Sequence, residues 1–186
     1  MSIMNRNYEL LRAGTGSVLE NLRTYLSGPI EFDATHHNWR TEPAEILRNR
    51  FKIDLYDPFA DPKQQFSEEL IQARKNRDFP AMQKIAGRFV SKDLSVVQRS
   101  DILIAYLPYK VPTTGTHEEI ITSNRNKIVT LLVCPQGREF LPLWYYGYIK
   151  LKYMFDSWED LYTYLDEVNN FQHTDDKRWA FAYGLL

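Results

Sequence analysis

Two adjacent carboxylates, Glu118 and Glu119, follow His117 in the run "TTGTHEEI". Acids so placed can protonate a leaving group, attack an electrophilic carbon or stabilise a developing cation. Thr113, Thr114 and Thr116 add hydroxyls just before them, and Gly115 lets the backbone approach a ligand closely. The stretch from Tyr106 to Ile120 passes from the tail of an apolar strand into the first turn of a helix. Free amide N–H groups and the helix dipole favour an anion at such a place. Two readings follow. The run is a ligand-binding turn with a carboxylate at its edge, or a Thr cap and a Glu at the third helical position form a capping box that only closes the helix start.

Three further constellations bear on chemistry. "GPIEFD" brings Gly28, Glu31 and Asp33 to the end of a first strand, although Gly28-Pro29 is also an ordinary turn. In "HHNWR", His36 and His37 face opposite sides of a strand-like stretch, which is poor metal geometry, and no third ligand stands at metal spacing. Trp39 and Arg40 can stack on a planar base or hydrogen-bond to it, or can anchor a helix start. Asp93 lies eight residues before Asp101, which opens a strand and reads as a cap or turn. The chain has no G-x-S-x-G elbow, no P-loop and no G-x-G-x-x-G.

The elements that must position these residues alternate. Residues 1–20 read as a short helical arm with a glycine-containing connection. "LRTYLSG" and "FKIDLYDP" read as strands, with a helix from Trp39 between them whose first turn is limited by Pro43. Pro80 separates two helices. In the second, Met82, Ile85, Ala86, Phe89, Val90, Leu94 and Val97 recur at helical spacing, a stripe for packing on a sheet. "DILIAYL", in which Ile102–Ala105 are continuously apolar as in strands covered on both faces, and "KIVTLLV" read as buried strands. A helix from about Gly115 to Asn124 links them. "LKYMF" supplies a fifth strand, and "DSWEDLYTYLDEVNNF" a last helix capped by Asp156 or Ser157. This alternation predicts an α/β fold, a doubly wound parallel sheet of about five strands with a short N-terminal helical arm. Ligands bind such sheets outside the carboxyl ends of the strands. That rule picks out the loops after Ser27 and Tyr56 and the stretch after Leu107.

Bulk properties narrow the partners. The chain has 186 residues, a length for one domain, here residues 1–186, with 1–20 as an appended arm and 171–186 as a tail that could serve a subunit interface. Hydrophobic residues make up 44% and charged residues 25%, a globular balance. The net charge of −1 gives no electrostatic basis for binding a polynucleotide. The lone Cys134 ends an apolar run and excludes an internal disulfide and a cysteine-based zinc cluster. Apolar runs fall short of the roughly 18 residues that span a bilayer, and the N-terminus lacks a signal peptide's apolar core. A cytoplasmic enzyme or binding module without metal or cofactor is expected.

Read in order, "YLSGPIEF", "WR", "DLYDP", "KDLSVVQRSDILIAYLP", "GTHEEI" and "FDSWEDLYTYL" resemble the nucleoside 2-deoxyribosyltransferase family, in its phage and bacterial branch, over residues 22–170. G-T-x-x-E and the Asp eight residues before the third strand's Asp are the specific parts. The resemblance implies a flavodoxin-like fold and cleavage of an N-glycosidic bond. It places the nucleophile on Glu119, with Glu118 left as a helix-start charge. It puts proton delivery to the departing base on Asp93 and assigns Tyr25 to holding the nucleophile. Gly28, Asp33, Trp39, Arg40, Thr113, Gly115 and Thr116 are then the substrate-binding candidates. The acceptor is a second free base or water.

One position departs from the pattern. Six residues before the nucleophile, relatives acting on free deoxynucleosides can carry Asp, and relatives hydrolysing monophosphates can carry Ser. Here Thr113 stands there. A hydroxyl at a helix start suits a phosphate, whereas a carboxylate would repel it. The transferases' base-binding Asn near the late Trp is also not evident in "REFLPLW". The resemblance implies a homodimer or larger assembly. A nucleotide-binding sensor without turnover is the alternative reading.

Overall fold

The computed structural model describes residues 17–30 and 37–185. Five strands are laid down in chain order: β1 (Arg23–Ser27), β2 (Asp54–Tyr56), β3 (Ile102–Tyr106), β4 (Val129–Val133) and β5 (Met154–Phe155). Helix α1 (Thr41–Asn49) joins the first two strands, and α2 (Ser67–Lys75) and α3 (Phe79–Gln98) lie before β3. Helix α4 (Thr114–Arg125) links β3 to β4, and α5 (Trp158–Asn169) follows β5. The sheet order is β2-β1-β3-β4-β5, all parallel, with helices on both faces: a flavodoxin-like α/β fold. None of the described helices is long and apolar enough to cross a membrane.

The apolar runs account for this sheet. Every residue of β4, and Ile102–Ala105 of β3, is buried, as strands packed on both faces must be. Parallel register sets Ser27 beside Ala105 and Tyr25 beside Leu103. Asp101 ties the amino ends of β1 and β3 together. Its carboxylate accepts from the Arg23 amide at 2.9 Å and from the Arg23 guanidinium at 2.8 and 3.1 Å. β1 connects outward to β2, while β3 connects to β4 on the other side. The crevice for a ligand therefore opens at the carboxyl ends of β1 and β3.

Helix starts follow local chemistry. The Asp78 carboxylate accepts from the Ala81 amide at 3.0 Å, and Pro80 sits in the first turn of α3, where its missing N–H costs nothing. Ser157 caps α5 by accepting from the Asp160 amide at 3.0 Å.

Four expectations need correction. Of the α3 stripe only Val97 is fully buried; Met82, Ile85, Ala86, Phe89 and Leu94 are half-buried, and Val90 is 55% exposed. Helix α3 packs chiefly on α2 and α4. No capping box closes α4: its N-cap is Thr113, which makes no side-chain capping bond, and Glu119 lies in the second turn. His37, expected in a strand-like stretch, instead opens the 3-10 turn His37–Arg40 that leads into α1. The fifth strand is only Met154–Phe155, because Leu151–Tyr153 form another 3-10 turn.

The arm lies largely outside the described residues. Within the carboxyl-terminal stretch, Trp179, Ala182 and Tyr183 are buried in the chain's own core. The Trp179 indole donates to Tyr164 Oη at 2.8 Å, and Tyr183 Oη donates to the Val168 carbonyl at 3.1 Å.

Candidate active site

Alternation along β1 sends Tyr25 and Ser27 to the same side of the sheet, and α4 passes over that side. The two side chains meet there on one carboxylate. Tyr25 Oη donates to Glu119 Oε1 at 2.7 Å, and Ser27 Oγ donates to Oε2. Glu119 is 8% exposed. Glu118, about 100° further round the helix, is exposed and accepts from Thr122 Oγ1 at 3.3 Å. The two acids are thus separated by helical geometry alone.

Burial raises the pKa of Glu119 above the ordinary carboxylate range. The Ser27 and Tyr25 hydroxyls pull it back, Asp93 pushes it further up, and Arg40 opposes that push. Burial, with the Glu119 and Asp93 charges, also drives the Tyr25 phenol far above its usual value, so it remains a donor. Asp93, half-buried on α3, stands close enough for its charge to act on Glu119, Tyr25 and Tyr56. Tyr56 stacks on Tyr25 with ring centroids 5.5 Å apart and donates to Asp61 at 2.6 Å. Lys92 pairs with the other Asp61 oxygen at 2.6 Å.

Trp39 and Arg40 stay in contact, with the Arg40 guanidinium carbon 4.4 Å from the indole centroid, but they bind different partners. Arg40 is 3% exposed. Its Nη1 donates to the Leu26 carbonyl at 3.1 Å and to Asp57 at 2.8 Å, and its Nη2 donates to the Gly28 carbonyl at 2.9 Å. The guanidinium therefore clamps the carboxyl ends of β1 and β2. Burial works against its charge, which Asp57, Tyr25 and Glu119 support. Trp39 lies over Gly28, where an added Cβ would fall 2.4 Å from the indole, so only glycine fits. The indole stacks on Tyr106 at 4.5 Å and on Trp158 at 5.9 Å. This aromatic group belongs to the face of the sheet opposite Glu119, since Tyr106 shares the alternation of Leu26 and Ile104.

At the start of α4, Thr113 is 7% exposed and Thr116 is 4% exposed. Thr113 Oγ1 lies 3.4 Å from His117 Nε2, and His117 Nδ1 meets Tyr145 Oη. A Cβ on Gly115 would meet no heavy atom within 4 Å, so packing inside the chain does not require glycine there. Asp33 lies outside the described residues. Among the described residues no cluster of His, Cys, Asp or Glu is placed to hold a metal ion.

Ser27, Asp57 and Tyr145 are absent from the sequence-based candidates. Ser27 was reachable, because the period-two rule puts it on the Tyr25 side. Asp57 and Tyr145 carry no local signal, since their partners lie 17 and 28 residues away.

Comparison with known proteins gives a fold. No family model and no curated protein matches the chain. A solved 2-deoxyribosyltransferase from the psychrotolerant bacterium Bacillus psychrosaccharolyticus is similar, with a TM-score of 0.52 and 18% identity. The match covers 77% of this chain and 95% of that one. At this identity the likeness is one of architecture.

Proposed function

We propose that this chain cleaves the N-glycosidic bond of a (deoxy)nucleoside or its 5′-monophosphate and passes the sugar to another base or to water. The observation that carries the reading is the Glu119 carboxylate, buried at the carboxyl edge of a parallel sheet and gripped by Tyr25 and Ser27. Burying a carboxylate beside a second acid is costly, and perturbed acids of this kind cluster at functional sites. The G-T-x-x-E pattern and the fold shared with a 2-deoxyribosyltransferase point the same way.

In the first half-reaction a Glu119 oxygen attacks the anomeric carbon as the bond to the base nitrogen breaks. The bonding pair leaves with the base, which takes up a proton delivered through Asp93. The oxocarbenium-like transition state is stabilised by the adjacent carboxylate, which then traps it as an ester. In the second half, an incoming base nitrogen or water oxygen attacks the same carbon, its proton passes to Asp93, and Glu119 leaves as carboxylate. Tyr25 and Ser27 hold the carboxylate in its attacking orientation throughout. Thr113, a hydroxyl at the start of α4, favours the monophosphate over the free nucleoside. Homodimers or larger assemblies are part of this reading, and sedimentation velocity tests that part.

The decisive experiment follows base release by chromatography from a panel of deoxynucleosides and their 5′-monophosphates, with and without a second free base. Release only with an acceptor identifies a transferase; release without one identifies a hydrolase. Glu119→Gln should lower the rate at least about a thousandfold, while Glu118→Gln leaves it within about twofold. Binding of the panel with no turnover would overturn the reading in favour of a nucleotide sensor.

A further inference from the structure

The start of α4 carries a hydrogen-bond chain that the proposed chemistry does not use. Tyr145 is 2% exposed and lies in the 3-10 segment Leu143–Gly147 between β4 and β5. Burial pushes its phenol well above the usual range, so the hydroxyl keeps its proton. Among the described residues, the hydroxyl's hydrogen bond is to His117 Nδ1. Withholding a buried phenolic proton from its acceptor costs about 1–3 kcal/mol, so Tyr145 donates and Nδ1 accepts. Burial also lowers the pKa of His117, which keeps the imidazole neutral. A neutral ring that accepts at Nδ1 carries its proton at Nε2. That N–H faces Thr113 Oγ1 at 3.4 Å. Thr113 must then accept from the ring, and its own hydroxyl proton is left to be donated elsewhere. Thr113 Oγ1 accepts no capping bond from the helix amides.

We propose that His117 and Tyr145 are positioning residues that fix Thr113 as a hydrogen-bond donor toward the substrate's 5′ oxygens, and so set a preference for a 5′-monophosphate. This rests on the glycosidic reading of the site. A phosphate dianion only accepts hydrogen bonds, so a fixed donor satisfies it. A free 5′-hydroxyl both donates and accepts, so it depends less on a fixed donor. Without Tyr145 the imidazole can place its proton on either nitrogen, and Thr113 can turn to accept or donate. The segment carrying Tyr145 thereby reads out at the opposite end of the substrate from the base.

The test measures kcat and KM for four deoxynucleoside 5′-monophosphates and the matching deoxynucleosides, in the wild type, Tyr145→Phe, His117→Gln, Thr113→Val and the Tyr145→Phe/Thr113→Val double variant. Thermal melts confirm that each variant folds. Tyr145→Phe should lower the monophosphate-to-nucleoside ratio of kcat/KM about tenfold, chiefly through KM for the monophosphate. The double variant should lose no more than Thr113→Val alone, since Tyr145 acts through Thr113. His117→Gln should follow Tyr145→Phe. Equal losses for both substrate classes, or effects that multiply in the double variant, would overturn the proposal and leave Tyr145 as a packing residue. Base release with an unchanged ratio overturns this inference alone. No base release from any wild-type substrate overturns the glycosidic reading and this inference with it.

Discussion

Both Glu119 oxygens are held by hydroxyl donors, yet burial still lifts the carboxyl above its ordinary range. In the proposed mechanism attack on carbon needs the ionised form, so activity would be present above this raised pKa and lost as pH falls through it. The acid limb of the kcat/KM profile should therefore lie above the usual range for a glutamate. Ser27→Ala removes a bond that favours the ionised form, so it should move that limb higher still and lower kcat/KM at neutral pH about tenfold. A limb that stays in place under Ser27→Ala would detach this carboxylate from the chemistry. The choice of Glu119 over Glu118 comes from the G-T-x-x-E register of the resemblance; the helix turns the two residues about 100° apart, so that one is buried and the other exposed. The role of Arg40 was not legible. Its donors close on carbonyls of Leu26 and Gly28, and a sequence does not show which backbone groups a guanidinium will find.

Among the elements, α3 shows where a periodic pattern misleads. Its 20 residues span about 30 Å, while a five-residue strand spans about 17 Å. The helix outruns the sheet, and only Val97, in its last turn, is fully buried. The sequence pattern records an apolar face but not the length of what lies beneath it. Val97→Ala should destabilise the fold by about 2 kcal/mol, and Val90→Ser by less than about 0.5 kcal/mol, in urea unfolding. Similar losses at both sites would mean that the outer part of α3 is covered. The strands were easier to read, since Ile102–Ala105 and Val129–Val133 have no polar face to conceal.

For the molecule as a whole, the carboxyl-terminal stretch completes the core, and its irregular turns give no period from which that could be read. Asp176 anchors it. Burial raises the pKa of this carboxyl, but bonds from Lys152, Tyr153, the Arg178 amide and Lys150 outweigh that and hold it far below the ordinary range. A depressed carboxylate contributes stability that is present above its unfolded value near 4 and is lost as pH falls below it. Asp176→Asn should cost about 2 kcal/mol at pH 7, with the difference from wild type shrinking below about pH 4 in acid titrations followed by circular dichroism. A difference that stays constant with pH would mean that the charge of Asp176 contributes nothing. The grip of Tyr25 on Glu119 also has a bearing on how the chain is made. The two residues stand 94 positions apart. At about 5–20 residues per second, the acid leaves the ribosome roughly 5–20 s after the tyrosine. A nascent chain that has made the first three strands still lacks Glu119, so under the proposed mechanism no turnover precedes the synthesis of α4.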